Sequence, residues 1–138
     1  MAIVVGYVPT KEGRAALTAA SSEARLRNAR LVVINSNRGG KDLDAVEAAR
    51  YETELGQVRA QLDEAGVEHE VRQLVRGLEP AEDLIGVAEE VDAQLIVIGL
   101  RRRTPVGKLI LGSNAQRVLL DAPCPVLAVK AAEGAASE

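Results

Sequence analysis

The sequence predicts an α/β fold: a single open five-stranded parallel sheet with helices on both faces. Two observations support this prediction. Short apolar runs recur along the chain, and several, such as Leu95-Ile96-Val97-Ile98, are continuous aliphatic sequence without alternation. That pattern is typical of parallel strands buried on both faces. Segments with helical periodicity separate these runs, and regular strand–helix alternation indicates a parallel sheet.

The predicted strands are short and largely aliphatic. They span Ile3–Val8, Arg30–Ser36, Glu68–Val75, Gln94–Gly99 and Val126–Lys130. Helical connections between parallel strands are right-handed crossovers. For five strands we expect the order 3-2-1-4-5, in which the direction of winding reverses between the first and fourth strands.

The first two helices have clear boundary signals. The first is predicted over Glu12–Arg27, with Thr10 placed to cap its amino end. The second carries an apolar stripe at three- and four-residue spacing, and Gly66 is predicted to end it. The stripe consists of Ala48, Tyr51, Leu55, Val58, Leu62 and Ala65.

The other two helices begin at recognisable residues. The third is predicted to start near Pro80, because proline suits the first position of a helix. The fourth is predicted over Ser113–Asp121, where Ser113 and Gln116 have the S-x-x-Q spacing of a capping box. No linker or repeat interrupts this pattern, so we expect one domain at residues 1–130 and a flexible tail at 131–138.

Composition limits the classes of function. The chain has two tyrosines and no phenylalanine or tryptophan, which argues for an aliphatic core and against base-stacking platforms for nucleic acid. A net charge of −3 gives no field that would gather nucleic acid or an anionic membrane. Cys124 and His69 are the sole residues of their types, so neither a disulfide nor a His- or Cys-rich metal site is expected.

The absence of targeting signals sets the expected compartment. The amino terminus lacks the basic region of a signal peptide, and no apolar run approaches the roughly 20 residues of a membrane helix. We therefore expect a cytoplasmic protein that does not insert into membranes.

The predicted topology nominates a binding site. Open parallel sheets bind ligands beyond the carboxyl ends of the strands, where the strand order reverses. The segment Gly99–Asn114 lies there, and Gly112, Ser113 and Asn114 open a helix whose free N–H groups favour an anion. Basic side chains suited to phosphate lie on the same segment: Arg101, Arg102, Arg103 and Lys108.

Simpler interpretations of these residues stay open. Gly112 and Ser113 also fit an ordinary turn and helix cap, and the arginine run also fits a solvated loop or a protein-docking surface. A P-loop is excluded, because Arg102 takes the position of its first glycine and Leu109 that of its hydroxyl residue. No catalytic motif with an evident nucleophile or general base is present, so we predict no catalytic residues.

Three parts of the chain carry a family resemblance: Val4–Gly6 with Glu12–Leu17, Gln94–Gly99, and Leu111–Leu119 with Ala122–Val129. On these parts, the chain resembles the universal stress protein family across nearly its whole length. The resemblance implies a shared fold, and members that bind ATP carry the motif G-x2-G-x9-G-[ST]. Gly99, Gly112 and Ser113 match that motif, whereas Arg102 replaces its second glycine.

The loop after the first strand departs from the family pattern. Val8 stands where the family usually places an aspartate that contacts adenine, and Pro9 replaces a common glycine, while Thr10 keeps the hydroxyl group. The resemblance therefore permits a nucleotide binder whose phosphate contacts dominate. It equally permits a module that has lost the nucleotide and docks an acidic protein partner through Arg101–Lys108.

On the first hypothesis the ligand is ATP or another adenine nucleotide. The residues assigned to phosphate and ribose are Gly112, Ser113 and Asn114; those assigned to charge neutralisation are Arg101, Arg102 and Lys108; those assigned to the base are Val8, Pro9 and, by family position, Val75. The motif contains no acidic residue that could bind Mg²⁺, so it does not decide whether this ion takes part. A slow ATPase is a further alternative.

The last predicted strand indicates an assembly. Val126–Lys130 is an apolar edge strand followed by a small polar tail, and an uncovered edge of this kind favours pairing with another chain. The family usually forms dimers through this strand. We therefore expect a homodimer.

Overall fold

The computed structural model describes residues 1–37, 45–75, 77–101 and 111–131. Across them, strands and helices alternate in the predicted order. Strands β1–β5 span Ala2–Gly6, Arg30–Asn37, His69–Val75, Leu95–Leu100 and Val126–Lys130. Helices α1–α4 span Lys11–Arg27, Ala45–Glu64, Pro80–Glu90 and Ser113–Asp121. The tail predicted at 131–138 falls, after residue 131, outside the described residues.

The five strands form one parallel sheet in the order β3-β2-β1-β4-β5, which confirms the predicted fold. Val5 of β1 lies in register with Val33 of β2 and Val97 of β4. The chain winds outward from β1 to β3 and then returns to β4 on the other side. The order therefore reverses between β1 and β4, as expected.

The central strand separates two aliphatic cores. Ile3 and Val5 point to the layer that holds α1 and α2, whereas Val4 points to the layer that holds α3 and α4. All three residues are fully buried, which explains why the strand sequence shows no polar alternation. Among the described helices, none is both long and apolar enough to cross a bilayer.

The turn after β1 comes earlier than predicted. We predicted that this strand continues to Val8, but it ends at Gly6. Pro9 has no N–H group to continue the strand, and the Thr10 N–H bonds to the Val8 carbonyl at 2.8 Å, which closes a tight turn. Thr10 then caps α1, as predicted, because its Oγ1 accepts from the Gly13 N–H at 3.1 Å.

The start of α4 also differs in detail. The predicted capping box is wrong, because Gly112 is the N-cap and Ser113 is the first helical residue. The side chain of Gln116 donates instead to the Leu111 carbonyl at 3.0 Å. Gly112 has no side chain, so the N-cap residue itself makes no side-chain hydrogen bond to the first turn of α4.

Candidate functional site

A cavity of about 160 Å³ opens at the edge of the sheet where β1 and β4 lie side by side. Its walls come from the carboxyl ends of β1, β2 and β4 and from the first turns of α1, α3 and α4. Most of the lining is apolar. Its aliphatic side chains include Val8, Ile34, Leu84, Ile98 and Val118.

Polar side chains in the cavity are held by neighbouring groups. Ser36 Oγ donates to the carboxylate of Asp83, which is fully buried in the first turn of α3. Asn114 Oδ1 accepts from the Ala81 N–H at 3.0 Å, which ties the start of α4 to the start of α3. These hydrogen bonds fix the side-chain orientations of Ser36 and Asn114, which both line the cavity.

Two glycines allow α1 to begin close to the sheet. A Cβ atom on Gly99 would overlap the backbone of Glu12, whose carbonyl carbon would lie only 2.7 Å away. A Cβ atom on Gly13 would overlap the carbonyl group of Val8, with the carbon at 2.9 Å. Both distances are shorter than protein packing tolerates. Gly99 therefore has a packing role that is separate from any contact with a ligand.

The first turn of α4 borders the cavity. Asn114 and Ala115 line it directly, and Gly112 and Ser113 immediately precede them. The leading N–H groups of a helix have no partner within the helix, and the helix dipole is positive there. Gly112, as the N-cap, has no side chain to accept from these N–H groups, which are therefore suited to an anion.

The charges beside the cavity partly compensate each other. Glu12 lines the cavity and is 17% exposed, while Arg101 places its Nε 3.5 Å from the Glu12 carboxylate. The first residue of the basic loop therefore has an acidic partner within the molecule. An incoming phosphate would compete with Glu12 for this guanidinium group.

A buried tyrosine supports the end of β1 from the side of α2. Tyr7 Oη donates to Glu54 at 2.8 Å, and Arg14 lies 3.6 Å from the same carboxylate. Burial, reinforced by the Glu54 carboxylate, raises the pKa of Tyr7 to about 12. The buried Asn35 donates through Nδ2 to the Tyr7 carbonyl at 3.0 Å. Tyr7, in the segment that leads into the cavity, is thus held through both its side chain and its backbone carbonyl.

The structure brings together part of the predicted site. Val8, Gly99 and Asn114 line the cavity, and Gly112 and Ser113 lie next to it. Val8 lies in the loop after β1 and is 42% exposed. The site residues that were predicted after β1, on β4 and at the start of α4 therefore lie at the same cavity.

Other predicted residues lie elsewhere. Pro9 lines a separate groove beside α2, and the hydroxyl group of Thr10 is used in capping α1. Val75 ends β3 and is 46% exposed. Arg102 and Lys108 lie outside the described residues, as does most of the loop proposed to dock a partner.

Sequence reasoning did not nominate Ser36 or Asp83. Ser36 comes near the end of β2, next to β1, so the rule that ligands bind at carboxyl ends of strands could have found it. Asp83 gives no such signal, because its role depends on the packing of α3 against β2. Within the described ranges, no group of three or more His, Cys, Asp or Glu side chains could hold a metal ion.

The structure defines an α/β protein with a doubly wound parallel sheet, and its cavity lies where the strand order reverses. The model of the universal stress protein family matches residues 1–130, and this chain belongs to that family. A universal stress protein of Mycolicibacterium smegmatis is 48% identical over 128 residues, covering 93% of this chain and 96% of that protein. The resemblance seen in the sequence is thereby confirmed.

Solved structures of universal stress proteins share the whole fold. One from Archaeoglobus fulgidus superposes with a TM-score of 0.83 and 39% identity, covering 94% of this chain and 98% of its own. An Archaeoglobus fulgidus universal stress protein in complex with dAMP superposes with a TM-score of 0.78 and 34% identity, with the same coverage. A universal stress protein in complex with cAMP gives 0.73 and 26% identity, covering 96% of this chain and 98% of its own.

Proposed function

We propose that this universal stress protein binds an adenine nucleotide in the cavity between β1 and β4 and acts through binding rather than catalysis. The observation that carries the proposal is the glycine-capped start of α4 beside an apolar cavity. This arrangement pairs an anion site with a surface suited to a base. The dAMP and cAMP complexes of similar proteins support an adenine nucleotide as the ligand.

The proposed contacts divide the ligand into two parts. The base packs against Val8, Ile34 and Ile98, which supply apolar surface. The phosphate lies at the first turn of α4, where the backbone N–H groups and the Ser113 hydroxyl donate to it. Arg101 contributes positive charge once the phosphate displaces Glu12. Mg²⁺ is not needed for these contacts, and ATP remains a candidate ligand together with the monophosphates.

The test is a titration of the protein with AMP, ATP and cAMP, with and without Mg²⁺, followed by thermal unfolding. A ligand that binds only the folded state raises the unfolding temperature. We expect such a rise for the wild-type protein and its loss in Gly112→Val, because the added side chain blocks close approach to the helix start. Gly86→Val is the matched control, since a Cβ atom there meets nothing within 4 Å.

Two outcomes of this titration would contradict the proposal. One is a wild-type protein that no adenine nucleotide stabilises, which would favour the alternative of a module that docks partners through Arg101–Lys108. The other is a Gly112→Val protein that keeps the full response, which would place the site elsewhere. Release of ADP from ATP faster than in a buffer blank would support the slow-ATPase alternative instead.

We also propose that the protein acts in the cytoplasm as a homodimer paired through β5. In the described part of the chain, β5 pairs with β4 along one edge, and its other edge has no strand beside it. Leu127 on this strand is 36% exposed, and an uncovered apolar edge favours pairing. Light scattering at micromolar concentration should give twice the mass of one chain, and a monomeric mass would refute the dimer.

A further inference from the structure

Ser36 places a hydroxyl group in an otherwise aliphatic part of the cavity. It follows Ile34 by two residues on β2, so both side chains point to the same face of the sheet. Both line the cavity, as does Leu84 of α3. Val8, in the turn after the neighbouring strand β1, has no polar atom in its side chain. In this part of the cavity, the polar side-chain group is therefore the hydroxyl of Ser36 on β2.

The hydrogen bond to Asp83 determines what Ser36 can offer. Ser36 Oγ donates to the Asp83 carboxylate, and a hydroxyl group has a single hydrogen to donate. Asp83 is fully buried and lies in the first turn of α3, where the helix dipole favours a negative charge. With its hydrogen directed at Asp83, Ser36 presents only lone pairs to the cavity. It is therefore an acceptor toward any ligand.

We infer that Ser36 determines base specificity by accepting a hydrogen bond from the exocyclic amino group of adenine, and that Asp83 positions it. The inference rests on the proposed nucleotide site and names the residue that selects the base there. Hypoxanthine carries a carbonyl oxygen in place of that amino group. Two acceptors would then face each other in a cavity with few other polar groups, which costs binding free energy.

The inference predicts a specific order of affinities. The wild-type protein should bind AMP about tenfold more tightly than IMP, because one satisfied hydrogen bond is replaced by an unpaired acceptor. Purine riboside 5′-monophosphate, which has only hydrogen at this position, should also bind more weakly than AMP. Ser36→Ala should bring AMP and purine riboside 5′-monophosphate to within about twofold of each other. Ser22→Ala, the same change at an exposed position on α1, should leave the order unchanged.

Asp83→Asn tests the positioning role separately. An asparagine amide can donate to Ser36 Oγ, which frees the serine hydrogen to turn toward the cavity. The preference for AMP over IMP should then shrink or invert. If the role of Asp83 were purely structural, the variant would lose affinity for both nucleotides by the same factor. Calorimetric titration of each nucleotide into each folded variant measures these ratios.

The outcomes separate this inference from the proposed function. If the wild-type protein binds AMP and IMP equally, or if Ser36→Ala keeps the full preference, the inference is wrong and the nucleotide site stands. If the wild-type protein binds none of the three nucleotides, both fail. The wild-type comparison needs no variant, so equal affinities for AMP and IMP would overturn the inference even if a substitution prevents folding.

Discussion

Tyr7 is a buried aromatic residue in a core that is otherwise aliphatic, and its hydroxyl group donates to Glu54 of α2. Sequence composition predicted the aliphatic core but gave this tyrosine no role. Its partner lies 47 positions away in sequence, so the contact is a product of the fold. The result is a link between the turn that enters the cavity and the second helix.

This link predicts how stability depends on pH. The pKa of Tyr7 is raised from 10.0 to about 12, chiefly by burial, so the folded protein favours the neutral phenol. Its contribution to the free energy of unfolding is complete below pH 10 and is lost as the pH rises through about 12. Urea denaturation between these pH values should show a steeper loss of stability for the wild-type protein than for Tyr7→Phe.

The other tyrosine provides the control for this experiment. Tyr51→Phe changes the same functional group on α2 and leaves the Tyr7–Glu54 hydrogen bond in place. It should follow the wild-type pH dependence. Identical pH profiles for the wild-type protein and Tyr7→Phe would show that the Tyr7 hydroxyl is not held in the folded state as described.

At the scale of elements, the close approach of α1 to β4 depends on a missing side chain. Gly99→Ala should lower the free energy of unfolding by about 1–3 kcal/mol, because the new methyl group meets the backbone of Glu12 and not a movable side chain. Gly56→Ala in α2 is the matched control. A Cβ atom there meets nothing within 4 Å, so helix propensity should make that protein more stable by about 1 kcal/mol.

Urea denaturation of the two variants measures this difference directly. A Gly99→Ala protein as stable as the wild type would mean that α1 can move away from β4 at little cost. The need for glycine at position 99 would then come from contact with the ligand, as the family motif alone implies. A destabilised Gly99→Ala protein would show that the same glycine is required before any ligand binds.

The elements themselves were largely predictable, since buried strands and amphipathic helices leave strong periodic signals. Their ends were less so. β1 stops at Gly6 because a hydrogen-bonded turn forms at Val8 and Thr10. Helix α4 takes Gly112 as its cap, although Ser113 has the more suitable side chain. Such choices depend on local backbone geometry, which residue preferences describe only on average.

At the scale of the whole molecule, strand order and the position of the cavity were predictable from the alternation of strands and helices. Alternating strands and helices permit few arrangements, and the reversal of strand order locates the cavity. The lining was only partly predictable, because Ile34, Ser36 and Leu84 come from elements far from the motif in sequence. The cavity therefore combines a local signal at α4 with tertiary contacts that no short motif contains.

The central claim is that an adenine nucleotide occupies the cavity between β1 and β4. Isoleucine side chains make it directly testable, because Ile34 and Ile98 line the cavity while Ile3 lies in the core on the other face of the sheet. The measurement is the methyl NMR spectrum of isoleucine-labelled protein during titration with AMP. We expect the Ile34 and Ile98 resonances to shift and that of Ile3 to stay in place. Unchanged Ile34 and Ile98 resonances at high AMP concentration would contradict the account.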